Sequence, residues 1–238
     1  MWRRQLVILT IGAGLGMAVI PFNPVLDTVY RVALLAAMLG AWLGALLLIW
    51  HRKWLRRAWL AGSFLLVLPW ALPGLPVNQG ELRAGYVQRM KHLVGTKYVW
   101  GGESWRGIDC SGLPRKALRD ALLSYGFQHM DGGVLREFVR QWWYDASAKA
   151  LGEGYRNYTV PLEPHGTIRQ MDYRALLPGD LAVTTSGVHI LAYMGDECWI
   201  QADPGIGVVA ILNGRRDDNG WFEVPVTTHR WSVLQHGR

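Results

Sequence analysis

The feature that most constrains this chain is its opening: three apolar stretches within the first 75 residues, separated by short connections. The first runs from about Gln5 to Ile20 and stops at Pro21, the second from about Val32 to Trp50, and the third from about Ala58 to Leu75. A helix that crosses a bilayer needs roughly 20 apolar residues, and about 17 can suffice. The second stretch has that length and the first is short. The third contains Pro69 and Pro73, which remove backbone donors and bend a helix. Residues 1–79 hold seven basic residues against one acid, Asp27, so this third of the chain carries +6 of the +7 formal charge. Arg3 and Arg4 precede the first stretch, and Arg52, Lys53, Arg56 and Arg57 lie between the second and third. Both groups belong on the cytoplasmic side by the positive-inside rule. Three crossings would leave everything beyond Leu75 outside, and two would leave it in the cytosol. Residues 1–76 are therefore expected to form a membrane anchor of about three hydrophobic helices. No small-x-small site marks the first stretch for cleavage, and further apolar segments follow, so the anchor is read as retained. Gly12/Gly16 and Gly40/Gly44 have the spacing that lets helices approach closely in lipid. The run Gly12–Gly16 lacks the strand-then-helix setting of a dinucleotide loop.

Beyond the anchor the composition changes. Residues 80–238 hold 18 basic and 17 acidic residues, with no basic stripe of the kind nucleic acid requires, so no nucleic-acid partner is expected. Residues 77–81 end a linker rich in proline and glycine. Apolar periodicity predicts helices over Leu82–Val94, Gly112–Tyr125 and Val134–Ala150. Strand-like runs follow at Leu181–Thr184, Val188–Met194, Cys198–Ala202 and Val208–Leu212, with a last one near Trp231–Leu234. Helices first and antiparallel strands after them make residues 82–238 an α+β domain. Residues 142–174 are the least regular part, with Trp142-Trp143-Tyr144, Pro161 and Pro164.

Two cysteines make no disulfide framework and have no metal-ligand spacing, so neither metal nor cofactor is expected. Cys110 is better read for reactivity. It lies in Gly107-Ile108-Asp109-Cys110-Ser111-Gly112, downstream of Lys97-Tyr98-Val99-Trp100-Gly101-Gly102. The glycines let backbone approach a nucleophile and its substrate without a Cβ in the way. The spacing puts Cys110 where a loop enters a helix, and the positive end of a helix favours the attacking thiolate. A second run, Leu177-Pro178-Gly179-Asp180-Leu181, leads to Gly187-Val188-His189 at the head of an apolar strand. His189 can serve as the base that takes the thiol proton. A hairpin turning at Met194-Gly195-Asp196 would set Tyr193 opposite Glu197 and His189 opposite Gln201, whose amide could fix the imidazole tautomer. On that strand Gln201 and Trp199 share one face and Cys198 the other, so Cys198 is expected to be a buried filler pointing away from Cys110.

These motifs resemble the NlpC-type cysteine peptidases, bacterial cell-wall endopeptidases of papain-like fold. The resemblance covers about Leu82 to Leu212 and rests on the tyrosine–tryptophan–glycine–glycine run, Asp-Cys-Ser-Gly, Pro-Gly-Asp-Leu and Gly-Val-His in the family's order. It implies a papain-like NlpC-type catalytic domain, with helices packed on an antiparallel sheet, and hydrolysis of short peptidoglycan peptides, typically between D-glutamate and a diamino acid. It also implies a polar third catalytic residue twelve positions after the histidine, which is Gln201 here, and substrate-binding roles for Tyr98, Asp109 and Ser111. The anchor then belongs in a bacterial inner membrane, with peptidoglycan peptides and the lipid bilayer as partners and the catalytic domain on the periplasmic or extracellular side. The Cys110–His189 separation is longer than is usual in that family, and residues 142–174 are expected to hold the surplus as a lid or specificity insert. Pro114 is tolerable if the nucleophile helix begins near Ser111. Two alternatives stay open: a thiol-dependent amidase or acyltransferase acting on a lipid-linked substrate, and a non-catalytic membrane-anchored binding module of the same fold.

Overall fold

The computed structural model describes residues 2–235. Three helices open it: α1 (Trp2–Val19), α2 (Thr28–Ile49) and α3 (Lys53–Ala71). Pro21 lies in a 3₁₀ turn that continues α1, and the Asp27 carboxylate caps α2 by accepting from the Tyr30 amide at 3.0 Å. By length and composition, Trp2–Phe22 and Thr28–Ile49 could cross a membrane, with mean hydropathies of 1.9 and 2.5. The α3 helix is not in that class, because Lys53, Arg56 and Arg57 fall in its first turns. Small residues set the α1–α2 contact: a Cβ added at Gly44 would overlap Thr10, and one at Gly40 or Gly16 would touch Ala13 or Ala37. Gly12 faces open space, so close approach uses three of the four spaced glycines.

The three helices meet the rest of the chain at alternating ends. At the C-terminal end of α1 the Arg106 guanidinium lies 4.1 Å from the centre of the Phe22 ring. At the N-terminal end of α2 Arg31 is buried against Glu103. At the C-terminal end of α3 Trp70 packs edge-on to Phe127, with centroids 5.5 Å apart, and Arg136 donates to the carbonyls of Trp70 and Leu72. The opposite ends carry Arg3, Arg4 and the basic residues of 52–57.

The α4 helix (Gln79–Lys91) starts inside the stretch read as linker, capped by the Asn78 side chain. After it come β1 (Glu103–Ser104), β2 (Gly107–Ile108), α5 (Gly112–Gln128), α6 (Gly132–Trp143) and α7 (Ala148–Gly152). The strands of the main sheet follow: β3 (Thr159–Thr167), β4 (Leu181–Thr184), β5 (Ile190–Gly195), β6 (Cys198–Asp203), β7 (Val208–Asn213) and β8 (Pro225–Trp231). Their order is β3-β8-β4-β5-β6-β7 and every pairing is antiparallel, an α+β architecture. One face of the sheet, with Val183, Ile190 and Ile200, packs on α4 and α5 through Tyr86, Met90 and Leu118. The other face, with Tyr193 and Trp199, is covered by Ile168, Met171 and Phe222. Both faces are thus buried, which suits the continuous apolar runs of β4 and β5.

Five expectations are corrected. The helix expected over Val134–Ala150 breaks at Tyr144–Ser147, where the Ser147 hydroxyl caps α7 by accepting from the Ala150 amide. The irregular 142–174 contains β3. Its Pro161 and Pro164 hide a strand from propensity, but they are admissible because β3 is the edge of the sheet and its ladder is interrupted between Pro161 and His165. The last strand ends at Trp231, and Ser232–Leu234 is a 3₁₀ turn. Finally, the β5–β6 hairpin turns through Asp196 and Glu197, both at positive φ (50° and 61°), so Ala192 pairs with Ile200 and Tyr193 with Trp199. That register is displaced by two residues from the expected one. A shift of two preserves the faces of a strand, so His189 and Gln201 still share a face but meet diagonally. Cys198, at the start of β6, is half-buried rather than buried, and both cysteines are free.

Helix and sheet are pinned together by Asp180, at the head of β4. Its fully buried carboxylate takes a bidentate pair from Arg230 of β8 at 2.8 and 2.6 Å, a contact from Arg83 of α4 at 3.4 Å, and the Leu177 amide at 2.8 Å. Removing one member of a buried ion pair strands the others, at a cost of about 3–5 kcal/mol. Asp180→Ala is therefore expected to lower the unfolding free energy by about that amount in denaturant titrations; a loss typical of an exposed pair would contradict the assignment.

Candidate active site

The segment around Cys110 is held by one carboxylate. Asp109 accepts from the Gly101 amide at 2.9 Å through one oxygen, and from the Gly112 amide at 2.6 Å and the Ser111 hydroxyl at 3.0 Å through the other. Its own amide donates to the Gly102 carbonyl at 3.0 Å. The glycine-rich loop and the first turn of α5 thereby close on each other. A Cβ at Gly112 would overlap the Gly102 carbonyl oxygen, and Gly101 has φ +72°, so both positions call for glycine. Pro114 is the third residue of α5, in the first turn, where an amide has no helical acceptor to lose. Burial raises the Asp109 carboxyl above its ordinary value, against the Gly112, Ser111 and Gly101 hydrogen bonds.

Cys110 follows directly, 7% exposed, with Sγ 3.9 Å from the Val188 carbonyl oxygen. Burial, and then the Asp109 charge, push its thiol up to about 12. The expected lowering by the helix terminus is not found, because desolvation of a sulfur anion outweighs the end of one helix. Nor is Cys110 the more accessible cysteine, since Cys198 is only half-buried.

His189 is buried just ahead of β5 and its backbone is clamped by Thr184: the His189 amide donates to Thr184 Oγ1 at 3.1 Å, and its carbonyl accepts from the Thr184 amide at 3.0 Å. The ring stacks on Trp221, centroids 4.1 Å apart and planes 18° apart. Nε2 lies 2.6 Å from Gln201 Oε1. An amide oxygen only accepts, so Nε2 carries the proton and Nδ1 keeps its lone pair. Burial lowers the His189 pKa, with the Gln201 hydrogen bond and the Asp203 charge opposing it. Among the described residues no hydrogen bond joins the Cys110 thiol to the imidazole; the thiol points to the carbonyl of the preceding residue instead.

A cleft of about 420 Å³ opens beside the thiol. Asp109, Cys110 and Ser111 line it, with Trp100, Arg115 and Asp145 among the other walls. Gly187 and Val188 also border it; His189, Gln201 and Tyr98 do not. Tyr98 is nonetheless close: burial, then the Cys110 and Asp109 charges, raise its phenol to about 12. Of the irregular 142–174, only residues 145–148 reach the cleft, while the remainder includes most of α7, β3 and part of the cover of the outer sheet face, and sends Leu151 and Tyr158 into the inner core.

Beneath the cleft lies a cluster that motif reading missed. The buried Glu103 carboxylate is paired with Arg115 at 2.5 Å, Arg119 at 2.8 Å and Arg31 at 3.3 Å, and Arg115 also pairs with Asp145. Burial alone would raise Glu103, but Arg119, Arg115 and Arg31 outweigh it and hold the carboxyl at about 2. Arg115 and Arg119 lie one helical turn apart on α5, a spacing visible in the sequence, but nothing there pointed to a single acid as their partner. Trp221 gave no signal either. Asp203 could have been found, since it is two positions beyond Gln201 on the same strand face.

The family model described as "NlpC/P60 family" matches residues 95–221. No curated protein matches. Among solved structures, NlpC1 from Trichomonas vaginalis is 20% identical, with a TM-score of 0.40, covering 61% of this chain and 42% of its own. An NlpC/P60 family protein from Bacillus cereus is 21% identical, with a TM-score of 0.40, covering 63% and 40% respectively. The peptidoglycan hydrolase RipB from Mycobacterium tuberculosis is 19% identical, with a TM-score of 0.40, covering 68% and 70%. The chain spans less than half the length of the first two.

The two pKa directions predict a resting site with a neutral thiol beside a neutral imidazole. With Cys198 replaced by alanine, ultraviolet titration is expected to show no thiolate from Cys110 as the pH passes 9.0, where an ordinary thiol ionises. Protonating His189 removes the base, and burial moves that event downward, so any reaction that needs it should decline only below pH 6.5. A thiolate already formed at neutral pH would contradict this arrangement.

Proposed function

The chain belongs to the NlpC/P60 family, and from that premise we propose that it is a membrane-anchored cysteine peptidase that hydrolyses short peptides of bacterial peptidoglycan. The observation that carries the reading is the 2.6 Å hydrogen bond between His189 Nε2 and Gln201 Oε1, with the Cys110 thiol at the head of a helix and 3.9 Å from the carbonyl of the residue before His189. It leaves Nδ1 as the one basic nitrogen. When substrate fills the cleft, the S–H turns from the Val188 carbonyl to Nδ1, which takes the proton as sulfur bonds to the scissile carbonyl carbon. The start of α5 supplies positive potential for the oxyanion. The imidazolium then protonates the departing amine as the C–N bond breaks. Water, deprotonated by the same nitrogen, splits the thioester and restores the thiol. Gln201 holds the tautomer. Asp109 and Ser111 border the cleft and Tyr98 stands near the thiol, in keeping with substrate-binding roles for all three. The bond between D-glutamate and a diamino acid is the substrate that the family resemblance favours.

Three crossings put the catalytic domain outside the inner membrane. The alternation of helix ends supports this: the C-terminal end of α1, the N-terminal end of α2 and the C-terminal end of α3 all adjoin the domain, while the basic residues gather at the far ends. The basic residues that open α3 can snorkel, leaving the apolar run from Ala58 to cross. One observation favours the second reading, a lipid-linked substrate: Trp100, 80% exposed on the cleft wall, lies next to Gly101, which touches Val25 in the α1–α2 connection.

With purified full-length protein and muropeptides, Cys110→Ala and His189→Ala are each expected to abolish cleavage. Gln201→Ala should reduce it on the order of 10–1000-fold, since orienting a base matters less than supplying one. Full activity in the Cys110 variant would sink the mechanism, and cleavage of lipid-linked amides alone would favour the second reading.

Topology is open to a separate measurement. Reporter fusions after Gly80 should be active in the periplasmic format and silent in the cytoplasmic one; the reverse pattern means that α3 does not cross.

A further inference from the structure

The α1–α2 connection does more than join two helices. The Pro24 carbonyl accepts from the Glu103 amide at 2.8 Å, and Val25 forms an antiparallel bridge with Gly102. A Cβ on Gly101 would press on Val25, and one on Gly107 would press on Pro24. Arg31, 1% exposed, completes the seam: Nη2 donates to Glu103 Oε2 at 3.3 Å and Nη1 to the Trp143 carbonyl at 3.2 Å.

These two contacts belong to opposite walls of the cleft. Glu103 ends the glycine-rich segment whose Gly101 and Gly102 are locked to Asp109, the neighbour of Cys110. Trp143 ends α6, and the segment after it, residues 145–148, lines the facing wall. A guanidinium can hold both because its donors are fixed in one plane. We propose that Arg31 is a positioning residue of the catalytic site: through it the membrane anchor braces both walls of the cleft and sets the placement of the Cys110 thiol. The anchor is thus a component of the active site as well as a tether. This rests on reading Cys110 as the reacting group, and does not depend on which substrate it attacks.

The test uses full-length protein in detergent micelles, with Cys198 replaced by alanine so that only Cys110 reacts. The rate of Cys110 alkylation by iodoacetamide, followed by mass spectrometry, reports wall placement without any substrate. Arg31→Ala is expected to accelerate alkylation on the order of tenfold by loosening a local closure. On muropeptides it should lower kcat by about 10–100-fold with KM within about twofold, the signature of misplaced reacting atoms. Arg31→Lys keeps the charge beside Glu103 but has one ammonium in place of two separated donors, so it should recover only part of both. If Arg31→Ala does not accumulate, Val25→Ala carries the test, with a smaller acceleration in the same direction. Wild-type alkylation in the folded Arg31→Ala protein (or in Val25→Ala, where that variant carries the test), or an Arg31→Lys protein as impaired as Arg31→Ala, overturns the proposal. If wild-type protein cleaves no muropeptide while the alkylation responses hold, the peptidase reading fails and this inference stands.

Discussion

A single buried carboxylate organises the molecule. Glu103 sits among Arg31, Arg115 and Arg119, one from α2 and two from α5, the helix that follows Cys110. No one of these ions tolerates burial alone, and truncating one member of such a group strands its partners. The cluster therefore contributes less to net stability than to arrangement. The β1–β2 hairpin, the first turns of α5 and the start of α2 can satisfy their charges in one geometry, and that geometry fixes where the glycine-rich loop meets Asp109. With Asp180 on the far side of the domain, tied to Arg83 and Arg230, two buried acids hold the helices to each other and to the sheet.

Much of this was legible in the sequence because the relevant signals are local. The helix at α5, the strands β4, β6 and β7, and the order of anchor before α+β domain follow from apolar period and from where glycine and proline fall. Cys110, His189 and Gln201 announced themselves by motif and spacing, and strand parity put the last two on one face even though the hairpin register was off by two. What escaped was non-local or suppressed by composition. β3 was hidden by two prolines that only an edge strand can accept. Glu103 is an ordinary acid until three arginines from two helices converge on it. Trp221, against which His189 stacks, lies in a three-residue 3₁₀ turn too short to show a period. The ionisation of Cys110 was misjudged for a related reason: a helix start is visible in a sequence, while the depth of burial that opposes it is a property of the assembled fold.

The neutral state of the thiol changes what the cleft must do. A site that stored a thiolate would need only to admit a substrate. Here the S–H rests on the Val188 carbonyl and the imidazole rests on Gln201 and Trp221, so the reactive pair forms only when something displaces the first contact. On the proposed mechanism, a substrate lying against Val188 and Trp100 is positioned to do so, which couples occupancy to reactivity.

The position of Arg31 also bears on how the protein is made. Its carbonyl partner at Trp143 lies 112 residues further along the chain, and Glu103 lies 72 further. Until residues 103 and 143 have been synthesised, Arg31 has neither of these partners. The seam closes only after the following domain has folded against it. Docking of α2 is then a late event of folding, and a chain whose domain misfolds is left with an uncompensated arginine at the head of that helix.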